Sequence, residues 1–340
     1  MVENEAQKLT NEQPAEPEVE AFSFGDPETV LNDRIIDGLG VWLLDNGRYY
    51  STPVSLTGLA KLLKANAYHG PILEFKTNMV MRGFQGNSVV KRRDMKKATT
   101  DYNVFANCYF KVYRSVYGEI VRLQHLPAIN MRRCKGQDCY GMLNNTGQLI
   151  EFKPGEVIHI ANYDVTQTIY GIPGYLGAIQ SMLLNEDATL FRRKYYKNGA
   201  HIGYIFYSTA TGLDEKTRAK MKAAIEKSKG LGNFKNMFLH IGGADKDAIQ
   251  IKPVGDFSTK DDLEKIKNIS RDDIIAANRM PPALAAIMPG QNTSFGDLEK
   301  VDAVYQRNEV TPIREDLLEV NDYLPLAARV SFDTPSNTAV

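Results

Sequence analysis

The apolar and polar positions change their pattern several times along the chain. Residues 1–21 are rich in glutamate, carry a single lysine and hold almost no large apolar side chains. Such a segment cannot bury enough surface to offset the entropy of ordering, so a disordered acidic tail is expected. In "SLTGLAKLLKANAYHGPILEFKTNMVMRGF" a Ser/Thr cap precedes Leu59, Leu62, Leu63 and Ala67 at helical spacing. This predicts a helix pair broken near Gly70–Pro71. A further helical stretch is expected over 94–107. "ANCYFKVYRSVYGEIVRLQHLPAINMRRC" then alternates apolar and polar residues around a turn at Ser115–Glu119, and "GMLNNTGQLIEFKPGEVIHIANY" repeats the alternation around Asn144–Gly147. Period-2 alternation about a turn is the hairpin signature, so a small antiparallel sheet is expected.

"YLGAIQSMLLNEDATLFRRKYYKN" holds no proline and sets Leu176, Ile179, Leu183, Leu190 and Tyr195 near one stripe, predicting a long helix that ends at Gly199. Residues 201–255 read as strand, charged helix ("DEKTRAKMKAAIEKSKG") and two more strands, a compact αβ insert. "STKDDLEKIKNISRDDIIAANRMPP" predicts a second long helix, capped by Ser258 or Thr259 and stopped by Pro281–Pro282. After a Gly/Pro/Asn/Ser-rich loop, helical spacing resumes in "LEKVDAVYQRNEVTPIREDLLEVNDYL", with a break expected at Pro312. The final "DTPSNTAV" reads as frayed.

With 340 residues and 43% hydrophobic side chains, the chain can bury the cores of two or more domains. Lys and Arg total 41 and Asp and Glu total 41, which lacks the basic excess of a tight phosphate-backbone binder. Three cysteines and no signal-like apolar segment at the amino terminus favour a reducing cytoplasm over a secreted disulfide scaffold. No apolar run approaches the roughly 18 residues needed to span a bilayer, so no membrane is expected.

Candidate chemistry is sparse. Cys134 and Cys139 stand in "CKGQDC", but a structural zinc site needs two more ligands and the histidines are scattered singly, so two reduced thiols are the plainer expectation. "GIPGYLG" lacks the lysine and hydroxyl of a phosphate loop, and "GLGNFK" follows a helix where a strand is required. Two "EFK" triplets, Glu74–Lys76 and Glu151–Lys153, match the tail of a Mg²⁺ nuclease motif, with Asp138 as the tempting upstream carboxylate of the second. "LFRRKYYKNGA" concentrates Arg192, Arg193, Lys194 and Lys197 after Glu186 and Asp187. Acids early and cations late suit the helix macrodipole, so local physics favours a helix end over a phosphate patch.

Several segments together resemble one family. "FSFGDPETVL", "VSLTGLAKLLKANAYH", "IYGIPGYLGAIQSMLLNEDATLFRRKYYKNGAH", "SKGLGNFKNMFLH", "IKPVGDFSTKDDLEKIKNISRDDIIAANRMPPALAAIMP" and "SFGDLEKVDAVYQRNEV" resemble PBSX-type portal proteins of contractile-tailed, peduovirus-like phages, from about Phe22 to Leu324. The resemblance implies an α+β portal fold assembled as a ring. Its parts would be a wing (22–174), a first stem helix (175–200), an αβ clip (201–256), a second stem helix (257–280), a tunnel-loop region (281–297), C-terminal wing or crown helices (298–325) and a flexible tail (326–340). It also implies a dodecameric homo-oligomer at the capsid portal vertex of a virion, assembled in the host bacterial cytoplasm, with no enzymatic activity and no cofactor or metal. Double-stranded DNA would pass through the channel, driven in by the terminase large subunit. Head-completion and connector proteins, major capsid protein and scaffold would be the other partners. The residues assigned to DNA or ring contacts are Arg192, Arg193, Lys194 and Lys197 with the loop residues Gln291, Asn292, Thr293 and Ser294. Those of the clip facing terminase or connector are Asp214, Lys216, Arg218, Lys222, Asn233 and Lys235.

A conduit also suits the balanced charge. A wall neutralising many phosphates at once would adhere to DNA and have to recapture counterions at every step. The alternatives from other classes are a Mg²⁺-dependent nuclease using Glu151 and Lys153, and a general nucleic-acid-binding module.

Overall fold

The computed structural model describes residues 41, 43–45, 47–197, 204–208, 216, 219–220, 237–240, 249–253, 260–285 and 297–333. The chain divides into two compact units, the smaller containing Ala188–Glu264 and the larger Thr29–Asp187 with Lys265–Val340.

The larger unit begins with a short ladder of β1 (Leu43–Leu44) and β2 (Tyr49–Tyr50), followed by α1 (Leu56–Ala65), α2 (His69–Val80) and α3 (Arg92–Phe105). The Ser55 hydroxyl accepts from the Gly58 amide and starts α1 as its cap. The expected break falls earlier than Gly70–Pro71, at residues 66–68, where Asn66 Oδ1 accepts from the amides of Tyr68 and His69. Gly70 and Pro71 lie in the first turn of α2. A proline is tolerated there because its missing N–H would have had no intrahelical partner. Glycine is required at 70 because a Cβ would stand 2.2 Å from the Leu63 carbonyl oxygen.

Ala106 adopts a left-handed conformation (φ 57°) that stops α3 and turns the chain straight into β4 (Asn107–Arg114). β4 and β5 (Ile120–Leu126) form the expected hairpin through Ser115–Glu119, where the Ser115 amide donates to the Glu119 carbonyl at 2.8 Å. The expected single sheet is in fact two. β6 (Met131–Arg133), β7 (Tyr140–Leu143) and β8 (Leu149–Glu151) form one, while β9 (Val157–Ala161) leaves them and pairs antiparallel with β4. Apolar faces explain the division, since Ile158 and Ile160 are buried with Tyr109, Phe110 and Leu123 beneath α3. Each such aliphatic side chain contributes about 1.5–3 kcal/mol by leaving water.

The C-terminal helix departs from expectation at Pro312. α6 (Leu298–Tyr305) passes without a break through a π turn (Gln306–Val310) into α7 (Thr311–Leu318). The Thr311 amide and hydroxyl both turn to the Gln306 carbonyl, five residues back. This wider turn absorbs a proline that would otherwise break the regular ladder. α7 is tied to α2 by Arg314, whose guanidinium donates to the carbonyls of Val80, Met79 and Arg82 at 2.9, 3.0 and 2.7 Å. It thereby satisfies acceptors that a helix end leaves open.

Residues 326–333, expected within a flexible tail, are anchored. Asn321 exchanges two 2.9 Å hydrogen bonds with the Val330 backbone, and β13 (Ser331–Phe332) pairs with β3 (Phe84–Gln85). Residues 334–340 and the acidic tail 1–21 lie outside the described residues. In the smaller unit, β10 (Tyr204–Ser208) lies between β11 (Met237–His240), parallel to it, and β12 (Ile249–Pro253), antiparallel to it. These are the three strands read in the insert. Of its charged helix, Lys216, Ala219 and Lys220 are helical and exposed.

Candidate functional site

Two long helices carry the candidate site. Pro173 precedes a tight 3₁₀ turn (Gly174–Ala178), which leads into α4 (Ile179–Lys197), and α5 spans Lys260–Ala277. Their partnership is polar at its centre. Asn185, 1% exposed, donates to Ser270 Oγ at 2.8 Å and to the Lys267 carbonyl at 3.2 Å, and one turn earlier Ser181 donates to Asp273 at 2.9 Å. As numbers rise on α4 they fall on α5, so the two run antiparallel. The buried stripe of α4 runs through Ile179, Met182 and Asn185, whereas Leu190, expected on it, is exposed. Leu184 on α4 and Ile266 and Ile269 on α5 are exposed as well. Asn185 interrupts an apolar stripe, so periodicity alone does not single it out; its four-residue spacing from Ser181 is the available signal.

The ends of both helices meet one buried histidine. His69, the first residue of α2, has no solvent exposure, faces Tyr175 edge-on at 4.5 Å and stands 3.2 Å from the Asn278 amide nitrogen. Tyr175 lies in the turn before α4, and Asn278 follows α5 and reaches back to the Ile274 carbonyl at 2.7 Å. Burial pulls the His69 imidazole down to about 4, against a weaker opposing pull from Asn278, so it is neutral near pH 7.

A second buried amide, Asn107, holds the approach to α4. It donates to the carbonyls of Phe105 and Gly171, and its oxygen accepts from the Gly171 amide and bonds His159. Gly171 is fixed by close approach, since a Cβ there would stand 2.1 Å from the Ala106 carbonyl oxygen. With its amide committed to Asn107, "GIPGYLG" acts as a packing turn.

Of the basic cluster, Arg192 and Arg193 are helical and exposed, and the backbone of Lys194 and Lys197 is helical. Nearby on the same helix, burial raises the Glu186 and Asp187 carboxyls, Asp187 adding to the shift of Glu186. Lys216 is exposed on a helical residue. Gln291, Asn292, Thr293, Ser294, Asp214, Arg218, Lys222, Asn233 and Lys235 lie outside the described residues.

The nuclease triplets do not form a metal site. Glu74 and Lys76 lie on α2, where Lys76 is buried against Glu309 at 2.6 Å. Glu151 pairs with Arg48 at 2.8 Å, and Asp138 accepts from the Gly155 amide at 2.8 Å. Among the described residues, no group of three or more His, Cys, Asp or Glu side chains is placed to hold a metal ion. Cys134 and Cys139 are free thiols, and no described helix is long and apolar enough to cross a membrane.

Comparison with known proteins decides the family. The family model described as "Phage portal protein" matches residues 87–333. The chain belongs to the phage portal protein family. It is 40% identical over 309 residues to the "Probable portal protein" of Escherichia phage P2, covering 91% of this chain and 89% of that relative. It is 38% identical over 289 residues to the "Probable portal protein" of Haemophilus phage HP1, covering 84% of each.

Solved structures with the same fold include a chain of the virion of a native gene transfer agent particle, with TM-score 0.55 and 15% identity over 84% of this chain and 85% of that one. A chain of the neck of the native particle, computed with C12 symmetry, gives TM-score 0.51 and 16% identity over 82% and 81%. An HK97 family phage portal protein from Corynebacterium diphtheriae gives 0.53 and 12% over 81% and 94%. The α+β architecture is therefore the portal fold, and the nuclease reading has no support.

Proposed function

We propose that this portal chain assembles with copies of itself into a ring at one capsid vertex, a dodecamer by analogy with the C12 neck. Double-stranded DNA enters through its channel under the terminase large subunit and later leaves through it. Head-completion and connector proteins take terminase's place after packaging. The chain acts as a conduit and has no catalytic role of its own.

The observation that carries this reading is the antiparallel helix pair with apolar side chains left bare on it. Leu184 is 49% exposed and Ile269 63% exposed. A soluble chain gains by covering such groups, and a ring arises when one patch meets a different patch on the next copy and the rotation closes. On this reading the helices 175–200 and 257–280 are the stem, 22–174 the wing and 201–256 the clip. Arg192, Arg193, Lys194 and Lys197 then stand between stem and clip, where they steer DNA lightly or meet a neighbour's carboxylates. Gln291–Ser294 would line the channel without charge. Asp214, Lys216, Arg218, Lys222, Asn233 and Lys235 would face terminase or connector.

Negative-stain microscopy of the purified chain tests the assembly. Axial views with a central hole are expected. A chain that stays monomeric at high concentration, and in the presence of capsid and scaffold proteins, would overturn the ring.

A further inference from the structure

We propose that Cys134 and Cys139 are a disulfide-forming pair, a covalent modification site that closes the β6–β7 hairpin when the chain meets an oxidant of the disulfide class. The proposal is independent of the conduit reading and rests on register. In this hairpin Met131 opposes Met142, Arg132 opposes Gly141 and Arg133 opposes Tyr140. The next rung therefore sets Cys134 opposite Cys139, and the Cys134 amide donates to the Cys139 carbonyl at 2.8 Å. Hydrogen-bonded antiparallel partners have Cα atoms about 5.5 Å apart, inside the roughly 4.4–6.8 Å range that a disulfide requires.

The Cys139 thiol is also near enough to Cys134 to act on it electrostatically. The loop between them is held tight by two left-handed residues, Gly136 (φ 128°) and Asp138 (φ 51°). Asp138 is anchored in turn by the Gly155 amide, so the hairpin end keeps its shape.

The thiols differ in access, and this fixes the order of events. Cys139 is partly exposed, whereas Cys134 is 2% exposed and its thiol is pushed up to about 12 by burial and the adjoining Cys139. The Cys139 thiolate attacks one sulfur of a small disulfide RSSR, forming a Cys139–SR mixed disulfide and releasing RS⁻. RS⁻ takes the Cys134 proton, the Cys134 sulfur attacks Cys139, and the second RS⁻ leaves and is protonated by solvent. Two protein thiols are oxidised and one RSSR is reduced to two RSH. Cys108, fully buried, takes no part.

The bond would join more than two strands. Cys134 forms a bridge with Tyr49 of β2, the Lys135 amide donates to the Arg48 carbonyl at 3.0 Å, and Arg48 pairs with Glu151 at the end of β8. Oxidation therefore fixes the point where β2, β6, β7 and β8 converge.

The full chain is incubated with oxidised glutathione at neutral pH, quenched with acid, digested with trypsin without reduction and weighed. Trypsin cuts after Arg133 and Lys135, between the two cysteines. The expected product is the Cys134–Lys135 dipeptide linked to the fragment beginning at Gly136, two hydrogens lighter than its parts, from protein that migrates as a single chain on a non-reducing gel. Cys134→Ser, which lacks the resolving thiol, is expected to stop at a glutathione adduct on Cys139. Recovery of both cysteines as separate adducts, or both still free, or a bond only between chains, would overturn the proposal. So would equal Cys139 adduct in the wild-type chain and in Cys134→Ser.

Discussion

His69 shows how one buried side chain sets a pH response. Its folded value of about 4 lies below the ordinary 6.5, so the unfolded chain binds a proton first as acid is added. Stability is therefore intact above about pH 6.5, falls as pH drops towards 4 and levels off below. A gap of this size corresponds to about 3 kcal/mol at 1.36 kcal/mol per unit. His159, pulled down to about 3 by burial and secondarily by Arg133, adds in the same direction. Urea unfolding across this window should show the wild-type unfolding free energy falling between pH 7 and pH 4 by roughly that amount more than that of His69→Gln. Parallel curves would refute the role given to the imidazole.

At the scale of elements, the Lys76–Glu309 pair joins α2 to the π turn. The two side chains are 9% and 14% exposed, and Glu309 also faces Arg279 at 3.7 Å, at a residue whose φ is 53°. Breaking a buried pair from one side costs about 3–5 kcal/mol, and here it leaves Glu309 with only the more distant and exposed Arg279, whereas replacing both members by apolar groups is often neutral. Lys76→Met should therefore lower unfolding stability by about that much, and Lys76→Met with Glu309→Leu should recover most of it. Additive losses would show that the two side chains act separately.

These contacts also mark the limit of what is legible in the sequence. Local signals carried the Ser55 cap, the turns at 115–119 and 144–147, the three strands of the insert and both long helices, because each depends on near neighbours. The departure of β9 to β4, the Arg314 cap on α2 and the Lys76–Glu309 pair join residues far apart in sequence, which periodicity cannot report. The break expected at Pro312 does not occur, because the π turn that accommodates the proline has no signature of its own in the sequence. In the candidate site, the basic end of α4 was legible as a helix terminus, but the Asn185–Ser270 contact and the convergence on His69 needed coordinates.

For the whole molecule, the question is what the exposed Arg192 and Arg193 near the end of α4 do in the ring proposed for this chain. Balanced overall charge leaves local clusters free to act at short range, within a Debye length of about 8 Å at physiological salt. Because Arg193 is exposed, neutralising it together with Lys197 should leave the isolated chain folded, with unchanged circular dichroism. Ring assembly or DNA packaging should fall several-fold, read as ring counts by microscopy and as phage yield. An unaltered yield would return these residues to ordinary solvated charges.

The larger unit is discontinuous: its two stretches are separated by the residues of the smaller one. Its early helices end on late partners, Lys76 on Glu309, Arg314 on the end of α2, Tyr102 on Asp316 and Asn87 on the Ala328 carbonyl. A chain made from the amino terminus onwards must therefore wait. Until residues beyond about 305 have left the ribosome, α2 and α3 lack their covering surface, while the insert has already emerged whole. Closing such distant contacts is slow compared with forming a local helix or hairpin. The anchored strand at 331–332 closes this set of distant contacts, so the core of the larger unit is complete only once that segment has joined Phe84–Gln85.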